Sequence, residues 1–209
     1  MKQLGFFVDI SKCISCRSCM YACNSEHPKE QNHRRKMISI QKKTQDALYF
    51  STSCNHCETP ACMTVCPNHC IRKLRNGIVI LNNQNCTGCQ KCAAACPFDS
   101  IHIHPKTNKA DKCDMCYTRL KQNQQPICVE SCIAEAISIH DIHDVQWSDY
   151  QVQLEEYTMK QITNPSTRYR VIRSPKQRYF QERGDNDDKP FIKELVLCHP
   201  FYYGKIIAG

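Results

Sequence analysis

No apolar run in the 209 residues approaches the roughly 18 that a membrane-spanning helix needs, so no span is expected. Nothing ahead of the first strand-like stretch, Gly5-Phe6-Phe7-Val8-Asp9-Ile10, reads as a secretion leader, and no twin-arginine pair precedes it. A nucleophile-base constellation and a phosphate loop are also missing, which removes the usual grounds for expecting a catalyst. No aromatic-interleaved basic patch or recognition-helix pattern accompanies the surplus of Lys and Arg, which argues against nucleic-acid binding. Core-forming content is modest for one domain or two small ones.

Cysteine, by contrast, is abundant, with 18 in the sequence. Sixteen fall into four groups: Cys13, Cys16, Cys19, Cys23; Cys54, Cys57, Cys62, Cys66; Cys86, Cys89, Cys92, Cys96; and Cys113, Cys116, Cys128, Cys132. The third group, followed by Pro97, has the C-x2-C-x2-C-x3-C-P spacing of bacterial iron-sulfur runs. In such a run one loop offers three thiolates to three irons of a cubane, and the fourth Cys, on the following helix, faces a different cluster. The four groups therefore predict four [4Fe-4S] clusters. A disulfide framework is disfavoured because cysteines two residues apart are awkward to bridge. Zinc sites of four Cys usually come as separated C-x2-C knuckles, whereas three of the four groups place three Cys on one loop. With four Cys per cluster no iron is left open for a substrate, so the protein is expected to carry electrons and not to catalyse.

The clusters also reinterpret the charge. The formal value of +8 counts every Cys as neutral. A [4Fe-4S] core with four thiolates carries about −2, so four contribute roughly −8 and the loaded protein approaches neutrality.

Two segments read as copies: Gly5 to Cys23 and Gly77 to Cys96 each run strand, polar turn, then C-x2-C-x2-C-x3-C. Cys66, Cys96 and Cys132 are each followed five residues later by Ile71, Ile101 and Ile137, a register suited to a short helix feeding a strand. Cys70, Ser100 and Ala136 precede those isoleucines, so Cys70 is expected to be a packed thiol and not a ligand. Residues 71–74 and 78–81 predict a hairpin turning at Asn76-Gly77. His102 and His104 are expected on a half-buried strand. His56, in a cluster loop, could tune a potential or lie at the surface. Residues 24–53 read as one insertion, with a basic run from His33 to Lys36 and a strand at Met37 to Ile40. Residues 117–127 read as a second, a polar excursion that opens the fourth group as a lid or a partner contact.

The stretches Gly5 to Asp9 before Cys13, Ser53-Cys54-Asn55-His56-Cys57-Glu58 with Pro60-Ala61-Cys62, Lys112-Cys113-Asp114-Met115-Cys116-Tyr117, and Pro126-Ile127-Cys128-Val129-Glu130-Ser131-Cys132 resemble the iron-sulfur electron-transfer subunit of the dimethyl sulfoxide reductase family of molybdoenzymes. The resemblance covers residues 3 to about 143 and departs at Ile133, where the family usually has Pro. It implies an α+β fold of two ferredoxin-like modules, one nested in the other, with short hairpins and helices and an extended C-terminal tail. The inner module is expected at about 48–110, the outer at about 3–23 plus 111–143. The implied ligand sets are crossed: Cys13, Cys16, Cys19 with Cys132; Cys113, Cys116, Cys128 with Cys23; Cys54, Cys57, Cys62 with Cys96; and Cys86, Cys89, Cys92 with Cys66. The implied partners are a molybdopterin catalytic subunit and an integral membrane anchor that oxidises quinol. Association with the membrane is then through a partner, after synthesis in the cytoplasm, with export beside a signal-bearing partner left open. A free polyferredoxin would share the cofactors but needs no tail.

Residues 144–209 are expected to form a partner-binding tail. Val145, Tyr150, Leu154, Tyr157 and Ile162 fit a helical face imperfectly, and Cys198 is expected to be unligated. A protein truncated near His143 is expected to keep its clusters and lose its partners.

Overall fold

Apolar runs in this sequence are broken every few residues by a cysteine loop, so among the described residues no strand exceeds six residues and no helix nine. The computed structural model describes residues 2–28, 34–41, 47–147, 149–152 and 161–170. Strand β1 (Leu4–Asp9) leads into helix α1 (Ser18–Glu26), then hairpin β2 (Lys36–Gln41) and β3 (Ala47–Thr52). Helix α2 (Ala61–Thr64) precedes hairpin β4 (Ile71–Lys73) and β5 (Val79–Leu81). Helix α3 (Lys91–Ala94) precedes hairpin β6 (Ile101–Ile103) and β7 (Ala110–Lys112). Helices α4 (Tyr117–Lys121) and α5 (Ile127–Glu130) lead to β8 (Ile137–Asp141), and β9 (Arg168–Arg170) ends the described residues. The result is a ferredoxin-type α+β fold of small sheets and short helices.

β1 is the centre of the largest sheet, antiparallel to β8 with Phe6 opposite Ile139, and parallel to β9 with Val8 opposite Tyr169. The other three sheets among the described residues are two-stranded hairpins, each closed within a short stretch of sequence. Their apolar faces meet in small cores that include the cysteines. Phe6, Ile78, Met115 and Ile137 pack with Cys19, Cys54, Cys113 and Cys128, while Ile71, Val79, Ile101 and Ala110 pack with Cys92.

The register noticed after Cys66, Cys96 and Cys132 is a structural repeat. Their isoleucines open β4, β6 and β8. The residue three after each Cys is left-handed: His69 at φ 49°, Asp99 at 47° and Glu135 at 48°. That twist turns the next N–H back onto the thiol, so Cys70, Ser100 and Ala136 donate to Cys66, Cys96 and Cys132 Sγ at 3.3, 3.5 and 3.2 Å. The Asn76-Gly77 hairpin turn also forms, with Gly77 at φ 85°.

Three expectations change. Residues 117–127 are not an open loop. α4 fills their first half, and Arg119 binds the Gln125 carbonyl at 2.9 Å and the Glu130 carboxylate, closing the turn into α5. The domain boundary expected at 143 also moves: one compact unit runs through Met1–Ile172. β9 owes this to Tyr169, 1% exposed against Phe50, and to Arg170, which binds Asp9 at 2.6 Å. The helical face expected beyond Asp144 is absent where described. Val145–Trp147 and Gln161–Thr163 are single 3-10 turns with Val145 and Ile162 exposed, while Tyr150 packs on Phe7. Leu154, Tyr157 and Cys198 lie outside the described residues.

Candidate iron-sulfur cluster sites

The first Cys-x-x-Cys loop of each of the four groups shares one backbone device. The residue before the second Cys is left-handed in each: Ser15 at φ 59°, His56 at 44°, Gly88 at 74° and Met115 at 58°. In this conformation the N–H points back to the first thiol, and Met115 N–H meets Cys113 Sγ at 3.3 Å. Three of the four slots hold a side chain, so φ alone does not demand glycine. Gly88 is required by crowding as well, since a Cβ there would lie 2.6 Å from the Asn108 carbonyl oxygen.

Two cavities each bring together cysteines of two groups. One cavity is lined by Cys54, Cys57 and Cys62 together with Cys96, walled by Pro60, Val79, Phe98, Ile101 and Thr163. A second is lined by Cys86, Cys89 and Cys92 together with Cys66, walled by Cys70, Ile71, Leu81 and Ala110. In the remaining two groups α1 and α5 pack against one another. Cys19, Cys132 and Cys16 are the electrostatic neighbours of Cys13, and Arg35, Cys128, Cys116 and Arg34 those of Cys23.

Burial dominates the thiol chemistry. It pushes Cys23, Cys57 and Cys62 up to about 12, and Cys116 to about 11. Before loading, these four thiols are therefore protonated, and iron displaces their protons on binding. Cys16 and Cys89, one from the first group and one from the third, are exposed. No described cysteine is in a disulfide.

Buried cations complete the electrostatics. Arg35 is 1% exposed, places its guanidinium 4.5 Å over the Phe6 ring, and donates to Ser51 Oγ at 3.1 Å and Ser53 Oγ at 3.2 Å. Burial opposes its charge, but the thiols of Cys128, Cys113, Cys19 and Cys23, once ionised, outweigh that and hold it above the ordinary arginine value. Lys112, 2% exposed, donates to Cys54 Sγ at 3.7 Å. Among the described residues neither cation is paired with a carboxylate, whereas the neighbouring Arg34 binds Asp111 at 2.7 Å and Asp114 at 3.3 Å. Crossed thiol sets, dry walls and unpaired cations fit anionic [4Fe-4S] clusters.

Sequence reasoning missed Arg35, Lys112 and Thr163, whose hydroxyl donates to Cys57 Sγ at 3.2 Å. The only signals were the basic run before β2 and a Lys joined to Cys113. His56 is not at the surface. It is fully buried, its Nδ1 accepts the Val79 N–H at 3.1 Å, its Nε2 has no partner among the described residues, and burial holds it well below the usual histidine value. Cys70 is buried as expected and adjoins the Cys66 thiol; burial, then that contact, push it up to about 11. His102 and His104 are half-buried and enter no metal-capable group among the described residues. His27 Nε2 lies 3.6 Å from Cys116 Sγ, within a group completed by Asp114. No helix among the described residues is long and apolar enough to cross a membrane.

Residues 45–142 match the family model of the 4Fe-4S dicluster domain. The sequence is 36% identical over 159 residues to the B subunit of anaerobic dimethyl sulfoxide reductase from Haemophilus influenzae, covering 70% of this protein and 78% of that one. It is 35% identical over 156 residues to a probable anaerobic dimethyl sulfoxide reductase subunit of Escherichia coli, covering 69% and 76%. The B subunit of polysulfide reductase from Wolinella succinogenes is 32% identical over 184 residues, covering 85% and 96%.

Proposed function

The protein belongs to the family of iron-sulfur B subunits typified by that of anaerobic dimethyl sulfoxide reductase, and on that premise we propose that it relays electrons through four [4Fe-4S] clusters between a quinol-oxidising membrane anchor and a molybdopterin catalytic subunit. It is an electron-transfer subunit of an anaerobic reductase complex and not itself the catalyst. The observation that carries the four-cluster reading is the crossing of the sets: each of two cavities is lined by three Cys of one group and the last Cys of another, the second with Cys70 in its wall as well. The remaining eight ligands follow the same rule, Cys13, Cys16, Cys19 with Cys132 and Cys113, Cys116, Cys128 with Cys23, supported by the packing of α1 on α5.

Shared segments keep neighbouring clusters close, which suits conduction better than storage. The nested arrangement is supported by β1 pairing with β8 around the hairpins between them. Exposed Cys16 and Cys89 offer entry and exit points for partners, and the sequence beyond Ile172 remains the docking segment of this proposal. Association with the membrane is through the anchor subunit.

Metal and sulfide analysis of anaerobically isolated protein tests the reading. About sixteen iron and sixteen acid-labile sulfide per molecule, with a brown chromophore bleached by dithionite, is the expected result. A colourless protein carrying mainly zinc would overturn it, and co-isolation of a molybdopterin subunit and a membrane subunit identifies the complex.

A further inference from the structure

Lys112 lies where two of the ligand sets meet. It closes β7 and is joined directly to Cys113, so the last residue of one hairpin is the peptide neighbour of the next group's first ligand. Its Nζ donates to the Val79 carbonyl, to the Cys113 carbonyl at 2.8 Å and to Cys54 Sγ at 3.7 Å. Three acceptors match the three N–H donors of an ammonium. A cation stripped of water and given no carboxylate is costly unless another anion lies beside it. Here the candidate anions are the thiolate sets of Cys54 and Cys113. Cys54 and Cys113 lie in one buried core, and the Lys112 ammonium touches both segments, at Cys54 Sγ and the Cys113 carbonyl.

We propose that Lys112 is a fixed positive charge at the junction between the Cys54 cluster and the Cys113 cluster, raising the potential of the Cys54 cluster and so setting the step between the two halves of the relay. The inference rests on the proposed function and adds a residue to it. At this junction one cluster gives up an electron and its neighbour takes it; no bond forms or breaks and no proton moves. A cation 3.7 Å from a ligand sulfur stabilises the more negative, reduced cluster. Removing it makes that cluster harder to reduce. A purely architectural lysine, tying Val79 to the Cys113 loop, would leave potentials unchanged.

The test is an electron paramagnetic resonance redox titration of the full-length holoprotein and its K112M, K112Q and K112R variants, with iron analysis of each. At a fixed ambient potential the reduced-to-oxidised ratio of the Cys54 cluster is expected to fall at least tenfold in K112M and K112Q, a shift of about 59 mV for a one-electron couple. K112R should stay within twofold of the parent, and the Cys86 cluster should not move. A parent protein without clusters overturns the proposed function and this inference with it. A loaded parent whose neutral variants titrate within twofold of it overturns the inference alone. Loss of the Cys54 cluster from both neutral variants, with retention in K112R, upholds a requirement for charge; loss from K112R as well assigns Lys112 to packing and overturns the proposal.

Discussion

Thr163 donates its hydroxyl to Cys57 Sγ across 3.2 Å, from 106 residues further along the sequence. Around this contact Glu58 N–H meets the Asn164 carbonyl at 2.8 Å, Thr59 N–H meets the Thr163 carbonyl at 3.2 Å, and Ser166 Oγ donates to the His56 carbonyl at 2.8 Å. Thr163 therefore lines one of the cysteine cavities, while Asn164 and Ser166 tie the same segment to the His56–Thr59 loop.

That contact reverses the expectation for a protein truncated near His143. Such a truncation is expected to lose the Cys54, Cys57, Cys62, Cys96 cluster, with iron falling from about sixteen towards twelve per molecule. A protein ending after Ile172 should keep all four clusters and fail to co-isolate with its partners. Thr163→Val, which removes only the hydrogen bond, should cost about 1 kcal/mol of stability by thermal denaturation.

Crossed ligation makes a distinctive prediction for single cysteines. Cys96→Ser should alter the signal of the cluster held by Cys54, Cys57 and Cys62, and leave intact the one held by Cys86, Cys89 and Cys92, although Cys96 belongs to that run in sequence. Cys70→Ala should leave four clusters in place, since its thiol adjoins Cys66 without being needed in the set. Electron paramagnetic resonance of the reduced variants decides both; a missing cluster in Cys70→Ala would sink the second.

Cluster loading should be pH-dependent. The Cys57 and Cys62 thiols are pushed from the ordinary 9.0 up to about 12, chiefly by burial. A raised thiol favours the empty fold below 9.0 and ceases to do so as pH rises through about 12. Protons therefore compete with iron, so anaerobic reconstitution should release protons and proceed further at about pH 9 than at about pH 7. Iron uptake that is flat over that interval would contradict the assignment.

Gly88→Ala is expected to destabilise the third loop. Its φ of 74° costs an alanine about 1 to 2 kcal/mol, and the new Cβ would stand 2.6 Å from the Asn108 carbonyl oxygen. A lowered midpoint in thermal unfolding, with preferential loss of the Cys86 cluster, is the expected outcome.

The parts of this fold legible in the sequence are those encoded locally. Spacing within each group fixes the loop, and the Ile that follows Cys66, Cys96 and Cys132 opens a strand because the turn between is a fixed length. The Asn76-Gly77 hairpin was readable for the same reason. Long-range pairing was not. β9 joins β1 by a parallel register that nothing near Arg168 announces, and the apolar content of residues 161–170 is too slight to predict burial. The interior positions of Arg35, Lys112 and His56 were hidden because charge and polarity ordinarily mark a surface; their burial follows only once the thiol sets are placed around them. The polar run after Lys121 misled because its turn is held by Arg119, a residue outside the run.

The burial of Arg35 ties biogenesis to cofactor delivery. Without iron and sulfide, its guanidinium would face protonated thiols with no anion beside it, at a penalty of several kcal/mol. A domain of this size is stable by only about 5 to 15 kcal/mol in all. Maturation and folding thus become a single event, and a polypeptide that misses its cofactors stays open to quality control instead of accumulating as an inert, look-alike subunit.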